Sequence, residues 1–342
     1  MTYQDELRLR PLTSSSSAKT LKEAAFDAYA AAAASVGRPR ATPLRTGFDV
    51  LDQALGGGFR PGDLVVFGGA PGVGKTIAAL QVARRAAVDG RSSVYVSYEH
   101  DHATMLGRLL ALELAELPEP GPLGELDRLA RVAVEAAAGF RSLQDVLDAE
   151  PLLGRAYGRL DSYAERLVLV QASGTETDLV ELQRLAGQHL DPGGLLVVDY
   201  LQRVPSMYED ANDHVTAITQ QLKDLAAHHQ VVVLALVAAD WDGLRTGRLR
   251  MHHLRGSTAL AYECDVAILL NDKHQAVAKA HLAYDTANAE RFRQAVVFSV
   301  EKNRGGPAMV DVEFRKDFVH YRFDPRGAYL RERLVDDRLA GE

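Results

Sequence analysis

The chain alternates short apolar runs with longer stretches in which apolar residues recur at helical spacing. The apolar runs predict buried strands at 64–69, 92–99, 166–172, 194–200, 231–237, 265–271, 295–301 and 309–315. The helical spacing predicts helices over about 75–89, 176–189 and 214–229, and a helical region over 103–165 that LPEPGPLG interrupts. Strands buried on both faces and separated by helices indicate an α/β fold. We expect a mostly parallel, doubly wound sheet flanked by helices, with the late strands pairing antiparallel.

The two ends of the chain depart from this pattern. Residues 1–19 contain the run TSSSS and predict a flexible segment, whereas the charged tail 326–342 predicts a surface helix or a frayed end. From Thr20, apolar residues at helical spacing predict one helix, which GRPRATP ends, so 20–43 is interpreted as a linker helix and linker. This helix needs a partner surface, either on its own core or on a neighbouring subunit. Residues 44–325 remain as the main domain.

Composition and charge bound the class of protein. With 342 residues, 47% of them hydrophobic, the chain has the profile of two domains or of one large α/β domain with insertions. Cys264 is the only cysteine, which excludes an intrachain disulfide and a cysteine-rich zinc site. No apolar run approaches the roughly 18 residues of a membrane span, and no signal peptide is present, so we expect a cytoplasmic protein without a membrane partner. The net charge of −7 restricts any nucleic-acid contact to a local basic strip.

One glycine-rich motif carries specific chemistry. It spells G-x-x-x-x-G-K-T and comprises Gly69, Ala70, Pro71, Gly72, Val73, Gly74, Lys75 and Thr76, with Ile77 next in the chain. Glycines let backbone N–H groups close around a phosphate, and the N-terminus of the following helix favours negative charge. Lys75 is expected to reach the β- and γ-phosphates, and the Thr76 hydroxyl to take a Mg²⁺ position. A glycine-rich turn with an incidental Lys-Thr is the alternative, which the flanking strand and helix disfavour.

Two carboxylates at predicted strand ends complete the expected phosphate site. Asp199 ends the run GLLVVD and is predicted to hold the metal and its water shell. Glu99 ends the next strand after the glycine-rich loop and is the candidate that orients or activates the attacking water. The alternatives are a simple strand cap for Asp199 and a surface carboxylate at the start of a loop for Glu99.

Five separated motifs bring in a known family. They are, in order, TGFDVLDQALGGGFRPGD leading into the glycine-rich loop, then VVDYLQ, ITQQLKDLAAHHQVVVLAL, LRGSTALAYECDVAILL and VEKNRGGP. Together they resemble the RecA-like P-loop ATPase domain of DnaB-type hexameric helicases, and the resemblance covers about residues 44–325. The first motif is shared with RadA and KaiC relatives, whereas the last three favour DnaB. The resemblance implies a RecA-like fold that hydrolyses ATP with Mg²⁺.

The resemblance also implies roles for single residues. Asp199 matches the Walker B aspartate, and Gln202 matches the coupling glutamine of the family. Lys302 and Arg304 match the lysine and the arginine finger that the family supplies to the ATP of the neighbouring subunit. A solvated charge pair at a strand end is the alternative for these two residues. A finger supplied in trans implies a homo-oligomer, in this family a hexameric ring, and favours docking of the helix at 20–35 on the next subunit.

The sequence departs from the DnaB pattern in several places. Only some 19 residues precede the predicted helix, so we expect the N-terminal helical domain of replicative DnaB, with its primase contact, to be missing. The central strand ends in LALVAAD instead of Ser-Gln, and neither Val237 nor Ala238 can hydrogen-bond a γ-phosphate through its side chain. Segments 101–165 and 272–294 are irregular against the family. They are interpreted as surface helical excursions or as sites for a loader or another protein partner.

The loop after the central strand is the candidate DNA contact. In a ring translocase it faces the central channel, and here it carries Arg245, Arg248, Arg250 and Arg255. Copies of this basic strip around a ring would form a funnel for single-stranded DNA, with Trp241 available to stack on a base. The alternative is a solvated loop whose arginines pair with carboxylates on neighbouring subunits and whose Trp241 fills the core.

Two histidine pairs raise the question of a metal site. His228 with His229, and His252 with His253, are adjacent residues whose side chains point apart, and no third ligand lies at metal spacing. We therefore expect surface histidines.

The sequence thus predicts an ATP-dependent DnaB-like DNA helicase or translocase. The alternative is a KaiC- or RadA-like oligomeric ATPase that acts as a switch or assembly protein without helicase activity. DNA-stimulated ATP hydrolysis would separate the two.

Overall fold

The predicted apolar runs become strands of one sheet in the computed structural model. The model describes residues 20–22, 42–119, 121–208, 210–277 and 286–335. The strands are β1 Leu64–Gly69, β2 Ser93–Ser97, β3 Leu167–Gln171, β4 Leu195–Asp199, β5 Val232–Ala238, β6 Val266–Asp272, β7 Ala295–Asn303, β8 Val310–Asp317, β9 Arg322–Phe323 and β10 Ala328–Tyr329. Each of the apolar runs matches an observed strand to within two residues at either end. The last two strands were not predicted because a two-residue strand leaves no periodic signal.

Helices separate most of these strands. They are α1 Asp49–Ala54, α2 Lys75–Val88, α3 His102–Ala115, α4 Leu123–Ala137, α5 Leu143–Ala149, α6 Pro151–Ala164, α7 Leu179–His189, α8 Ala211–His229, α9 Ser257–Glu263, α10 Lys273–Ala276 and α11 Thr286–Arg293. The region 101–165 is helical as expected, and its break falls between α3 and α4. The predicted flexible segment 1–19 lies outside the described residues, as does nearly all of the linker helix and linker.

The sheet runs in the order β10-β8-β7-β6-β1-β5-β4-β2-β3, with β9 beside β8. Within the described parts of the chain, the strands from β6 to β3 are mutually parallel, and β7, β8, β9 and β10 add antiparallel pairs at one side. The prediction of a mostly parallel sheet with late antiparallel strands is therefore confirmed. Because the register pairs Gly69 with Ala238 and Ser97 with Asp199, the carboxyl ends of four parallel strands meet at one edge. We call this the carboxyl edge of the sheet.

Both faces of the central strands β1, β2, β4, β5 and β6 are buried, as their almost wholly apolar sequences require. Along β1, Val65 and Phe67 face one cluster, to which α2, α3, α4 and α6 contribute. Leu64 and Val66 face the opposite cluster, to which α7, α8 and α9 contribute. All four side chains are fully buried, and each such burial stabilises the fold by about 1.5 to 3 kcal/mol.

The charged tail differs in part from its prediction. Through Val335 it is neither a helix nor a frayed end, because β10 pairs with β8 and Leu334 forms a bridge with Val277. Leu334 is buried in a small apolar cluster with Phe292, and this burial fixes the segment against the sheet. Residues 336–342 lie outside the described part. Residues from Thr42 onward form one unit, and no described helix is long and apolar enough to cross a membrane.

Candidate functional site

The glycine-rich loop joins β1 to α2 at the carboxyl edge. Gly74 immediately precedes α2 with φ +104°, and a Cβ there would lie 2.6 Å from Cζ of Phe323 and 2.8 Å from Cζ of Phe318. Gly69 packs as closely, since a Cβ on it would lie 3.0 Å from the carbonyl oxygen of Leu270. Glycine is therefore required at both positions, at Gly74 because the backbone is left-handed and at Gly69 because a neighbouring strand packs too closely for a side chain. The predicted strand, loop and helix N-terminus are all present.

Lys75 lies at the first position of α2 with its amine turned back onto the loop. The Nζ atom donates to the carbonyl oxygens of Gly69 at 2.8 Å and Ala70 at 3.0 Å. Burial lowers the pKa of the Lys75 amine, although the negative charges of Asp199 and Glu99 act to raise it. The lysine therefore lies beside both predicted carboxylates, as the sequence required.

Asp199 ends β4 at the floor of the site and is almost fully buried. The hydroxyl of Tyr95 donates to its Oδ2 at 2.8 Å. Burial raises the pKa of the Asp199 carboxyl to about 6, even though hydrogen bonds from Tyr95 and Thr76 act to lower it. The Thr76 side chain and the Asp199 carboxyl thus lie close to each other on the lining of one cleft.

The donor set of this pair fits Mg²⁺ bound together with a nucleotide. Both atoms are oxygens, which Mg²⁺ prefers, and this ion takes one or two protein ligands beside substrate phosphates and water. In the described residues, no group of three or more His, Cys, Asp or Glu side chains is arranged to hold a metal by itself. His228 and His252 are exposed and His229 and His253 are half-buried. The ring centroids of the two pairs lie 4.9 and 4.0 Å apart, so the prediction that adjacent histidine side chains point apart is wrong.

Glu99 lies on the wall of a cleft of about 400 Å³ that contains the phosphate loop. Gly72, Gly74, Lys75, Thr76, Ile77 and Asp199 line the same cleft. The Glu99 side chain is exposed, and Ser97 Oγ fixes the turn after β2 by accepting from the N–H of His100 at 2.9 Å. Glu99 is thus open to water at the mouth of the cleft.

Sequence reasoning missed Arg108, which lines this cleft from α3. Its guanidinium lies 5.3 Å from the ring centroid of Tyr321, and its Nε is buried without a hydrogen-bond partner among the described residues. Its place nine residues after Glu99, on the helix that follows, was the signal that could have singled it out. The cleft therefore offers a second cation besides Lys75.

Gln202 lies on the short 3₁₀ turn after β4 and connects two strand ends. Its Oε1 accepts from the N–H of Ala238 at 3.3 Å, and its Nε2 is buried without a partner in the described structure. The predicted coupling glutamine therefore contacts the end of β5, at the position where the family has Ser-Gln.

Lys302 and Arg304 lie at the opposite edge of the sheet from the phosphate loop. Arg304 pairs with Asp265 at 3.2 Å, and the other carboxylate oxygen of Asp265 accepts from the N–H of Leu64 at 2.8 Å, at the start of β1. The phosphate loop begins at the other end of β1, roughly 17 Å away for a six-residue strand. The structure thus does not bring Lys302 and Arg304, the finger pair, to the phosphate loop of their own chain.

The four loop arginines divide into two kinds. Arg248 pairs with Asp311 at 3.0 Å, and Arg250 with Glu301 at 2.7 Å, so carboxylates of the same chain neutralise both. Arg245 and Arg255 are exposed, and neither has a carboxylate partner in the described part of the chain. Trp241 is 70% exposed and therefore does not fill the core. Its ring centroid lies 5.8 Å from the Arg245 guanidinium carbon.

The sequence matches the profile of the DnaB-like helicase C terminal domain over residues 43–120 and 155–323, which is more than half of the chain. The chain belongs to this DnaB-like family. Within the matched span only 121–154 is left out, and it contains α4, α5 and the start of α6. The segment 272–294, expected to be irregular against the family, lies inside the match. The family resemblance inferred from the five motifs is confirmed.

Individual relatives have low sequence identity to this chain, but their alignments with it are long. Replicative DNA helicase DnaB of Treponema pallidum is 25% identical over 288 residues, which cover 81% of this chain and 55% of that protein. Replicative DNA helicase DnaC of Bacillus subtilis is 24% identical over 302 residues, covering 84% and 59%. A shorter match, 50% identical over 60 residues, covers 18% of this chain and 12% of DNA repair protein RadA of Mycobacterium tuberculosis. The chain therefore spans little more than half the length of these two replicative helicases.

Solved structures agree on the fold. One solved ATPase domain superposes with a TM-score of 0.68 at 19% identity, covering 90% of this chain and 99% of that domain. A DnaB-like replicative helicase, determined with its interactions with primase, gives a TM-score of 0.67 at 18% identity over 89% of this chain and 68% of that one. The predicted RecA-like fold is confirmed by these likenesses.

Proposed function

We propose that this DnaB-like chain is an ATPase that hydrolyses ATP with Mg²⁺ between the subunits of a homo-oligomeric ring, a hexamer in the simplest case, and translocates on single-stranded DNA as a helicase. One observation carries the proposal. The phosphate loop, the Thr76–Asp199 pair and the exposed Glu99 meet in a single cleft at the carboxyl edge. The family membership supports the same chemistry.

Each side chain of the cleft takes a role that its position allows. The Lys75 amine binds β- and γ-phosphate oxygens, exchanging the loop carbonyls for a stronger charge-assisted contact. Thr76 and Asp199 hold Mg²⁺, which when bound neutralises phosphate charge. Glu99 orients the attacking water and accepts its proton, because its carboxylate is open to solvent at the cleft mouth.

Lys302 and Arg304 then serve the neighbouring subunit. Their separation from the phosphate loop of their own chain favours a finger supplied in trans, where the Arg304 guanidinium neutralises charge that develops on the γ-phosphate. A trans finger makes hydrolysis depend on assembly. Gln202, bonded to the end of β5, couples the Walker B strand to the loop that starts at residue 240.

DNA binding rests on the exposed part of the loop after β5. Arg245 and Arg255 supply phosphate contacts, and Trp241 offers an exposed ring for stacking. Because Arg248 and Arg250 are already paired within the chain, the basic strip is narrower than four arginines would give.

Steady-state ATP hydrolysis, with and without single-stranded DNA at two salt concentrations, tests the activity. We expect DNA to stimulate hydrolysis and salt to weaken the stimulation, since phosphate contacts release counterions. Lys75→Ala should abolish turnover while its melting temperature stays near that of the wild type. Full turnover by a folded Lys75→Ala protein would refute the site assignment.

Mixing two inactive variants tests the trans finger. Arg304→Ala and Glu99→Gln should each be inactive alone, whereas random mixing at equal amounts should make roughly a quarter of the interfaces competent. Thermal melts control for the pairing of Arg304 with Asp265, which supports the fold. If no mixing ratio restores hydrolysis although the variants co-assemble, the finger does not act in trans.

A second candidate function is an oligomeric ATPase that switches or assembles without translocating DNA. The observation that favours it is the intramolecular pairing of Arg248 and Arg250, which removes half of the predicted basic strip. Robust hydrolysis that is indifferent to DNA at both salt concentrations would favour this candidate over the helicase.

A further inference from the structure

Residues 240–255 make up most of the segment between β5 and α9, and they form an ordered loop whose two ends are held together. Ala239 forms an antiparallel bridge with Leu254, and the N–H of Asp240 donates to the carbonyl of His253 at 2.8 Å. Farther along, the ion pairs of Arg248 and Arg250 attach one side of the loop to β7 and β8. The exposed Arg245 is therefore carried by a loop whose position is set by a few discrete anchors.

Asn271 is the anchor on the other side of this loop. It lies near the end of β6, and its residue is only 3% exposed. Its Oδ1 accepts from the N–H of Leu249 at 2.6 Å, and its Nδ2 donates to the carbonyl of Leu249 at 3.3 Å. The amide thereby satisfies both backbone groups of one buried loop residue, as a neighbouring strand would.

The end of β6 is also the wall of the phosphate loop. Leu270, next to Asn271, pairs with Gly69 in the sheet, and its carbonyl oxygen would lie 3.0 Å from a Cβ on that glycine. A cleft of about 220 Å³ has Ala70–Val73 on one side and parts of Gly243–Leu249 on the other, with Leu270 and Asn271 also lining it. The two loops are therefore neighbours through one strand end.

At the end of β5 the side chains of Val237 and Ala238 cannot hydrogen-bond, so the contacts there are made by the backbone of Ala238, with Gln202 and with the N–H of Arg255. We propose that Asn271 is the positioning residue that transmits the state of the phosphate loop to the 240–255 loop. A shift of the tightly packed Gly69 displaces Leu270 and with it the Asn271 amide, which carries Leu249 along. This inference rests on the proposed function, since it assumes that the phosphate loop binds ATP.

Hydrogen exchange measured by mass spectrometry tests the link without using DNA or turnover. The probe is the non-hydrolysable ATP analogue AMP-PNP with Mg²⁺, added to the full chain, and nucleotide binding is measured separately with a fluorescent ATP. In the wild type we expect the analogue to slow exchange in 240–255 at least about fivefold, the lower end of ordinary allosteric coupling. In Asn271→Ala the change in exchange should be lost at saturating AMP-PNP, and because coupling is reciprocal the nucleotide affinity should fall by about the same factor, roughly fivefold.

Asp242→Ala is the matched control, because Asp242 is an exposed residue of the same loop that takes no part in the hydrogen bonds between Asn271 and Leu249. It should keep the nucleotide-dependent slowing. Asn271→Asp is the second variant in case the alanine protein does not fold. Its carboxylate still accepts from the N–H of Leu249 but cannot donate to the carbonyl, so part of the response should survive.

The outcomes separate this inference from the proposed function. Loss of the response in an Asn271→Ala protein that still binds nucleotide, with an affinity lowered by about the size of the lost response, supports the link. An unchanged response in that variant, or a wild type that binds nucleotide without any change in 240–255, overturns the link and leaves the ATPase proposal intact. A wild type that binds no nucleotide overturns the proposed function itself. A merely structural asparagine would lower stability without removing the response selectively.

Discussion

Replacing Glu113 by glutamine tests the attachment of the helical region to the helix that carries Lys75 and Thr76. Glu113 lies on α3 and is fully buried. Its carboxylate accepts from Arg84 of α2 at 2.6 and 2.8 Å, from Arg159 of α6 at 2.9 Å and from the hydroxyl of Tyr163 at 2.8 Å. One side chain thus joins three helices on the same face of the sheet.

The expected loss of stability follows from what the glutamine leaves behind. Breaking a buried ion pair costs about 3 to 5 kcal/mol because the remaining charge is uncompensated. Here Arg84 keeps a second partner, Glu116 at 3.2 Å, and Arg159 is 37% exposed, so water partly replaces the lost contacts. We therefore expect a value near the lower end, about 3 kcal/mol.

Urea unfolding measures this loss, because urea is uncharged and does not screen ion pairs. All variants are compared at one protein concentration, because the stability of an oligomer depends on concentration. Glu150→Gln is the matched control, because it removes the more exposed pair with Arg128 and should change stability little. Equal effects of the two substitutions would refute the reasoning.

The pH dependence supplies a second check. Burial alone would raise the pKa of the Glu113 carboxyl, but its hydrogen bonds and the Arg84 charge outweigh burial and hold the pKa below the ordinary 4.5. Because the pKa of Glu113 is lower in the folded than in the unfolded protein, its carboxylate contributes its full stabilisation at pH values above the unfolded-state pKa. This contribution disappears as the pH falls through the folded-state pKa. The difference between wild type and Glu113→Gln should be constant near neutrality and shrink below about pH 4.5. A constant difference down to acid pH would contradict an ionic origin.

Two further predictions concern the phosphate loop and the DNA loop. Placing alanine in left-handed backbone costs about 1 to 2 kcal/mol. Gly74→Ala should lower the stability measured in urea by more than this, because its Cβ would meet two phenylalanine rings. Gly72→Ala, with open space around it, should show only the backbone cost. Equal losses would contradict the packing argument. Arg248→Ala should lower the free energy of unfolding by about 2 kcal/mol and leave the salt dependence of DNA binding unchanged. Arg245→Ala should leave the free energy of unfolding unchanged and lower the slope of binding against salt by about 0.7 per lost phosphate contact. Fluorescence anisotropy with a labelled oligonucleotide checks both, and a lower salt slope in Arg248→Ala would contradict its assignment to the fold.

The parts of the fold that the sequence predicts are those with a local signal. The run LVVFGG and the glycine motif behind it define β1, the loop and α2 without any knowledge of distant residues. Asp199 and Glu99 follow from the same rule, because the carboxyl ends of parallel strands meet at one edge. The almost wholly apolar composition of β1, β2, β4, β5 and β6 also predicts their burial on both faces.

The parts that the sequence does not predict depend on partners far away in the chain. Arg248 and Arg250 form a basic strip in the sequence, yet their carboxylates, Asp311 and Glu301, lie more than fifty residues later on β8 and β7. Asn271 closes a strand in the sequence without any sign that it holds Leu249. Such pairs are set by the register of the antiparallel strands and by the path of a loop, neither of which has a periodic signal.

Hydrogen bonds within the chain order Lys302 and Arg304, the two residues of the proposed finger pair. Lys302 donates to the carbonyls of Ala261 and Tyr262 at 2.7 and 3.3 Å, and Arg304 donates to Tyr262 as well, at the C-terminal end of α9, where the helix favours positive charge. Burial lowers the pKa of the Lys302 amine, and the charge of Arg304 acts in the same direction. Ordering a long cationic side chain costs up to about 2 kcal/mol, and these bonds meet that cost within the subunit before a neighbour arrives. In the proposed ring, the half-exposed Arg304 guanidinium therefore reaches the neighbouring phosphate already oriented, so assembly and hydrolysis are coupled by geometry.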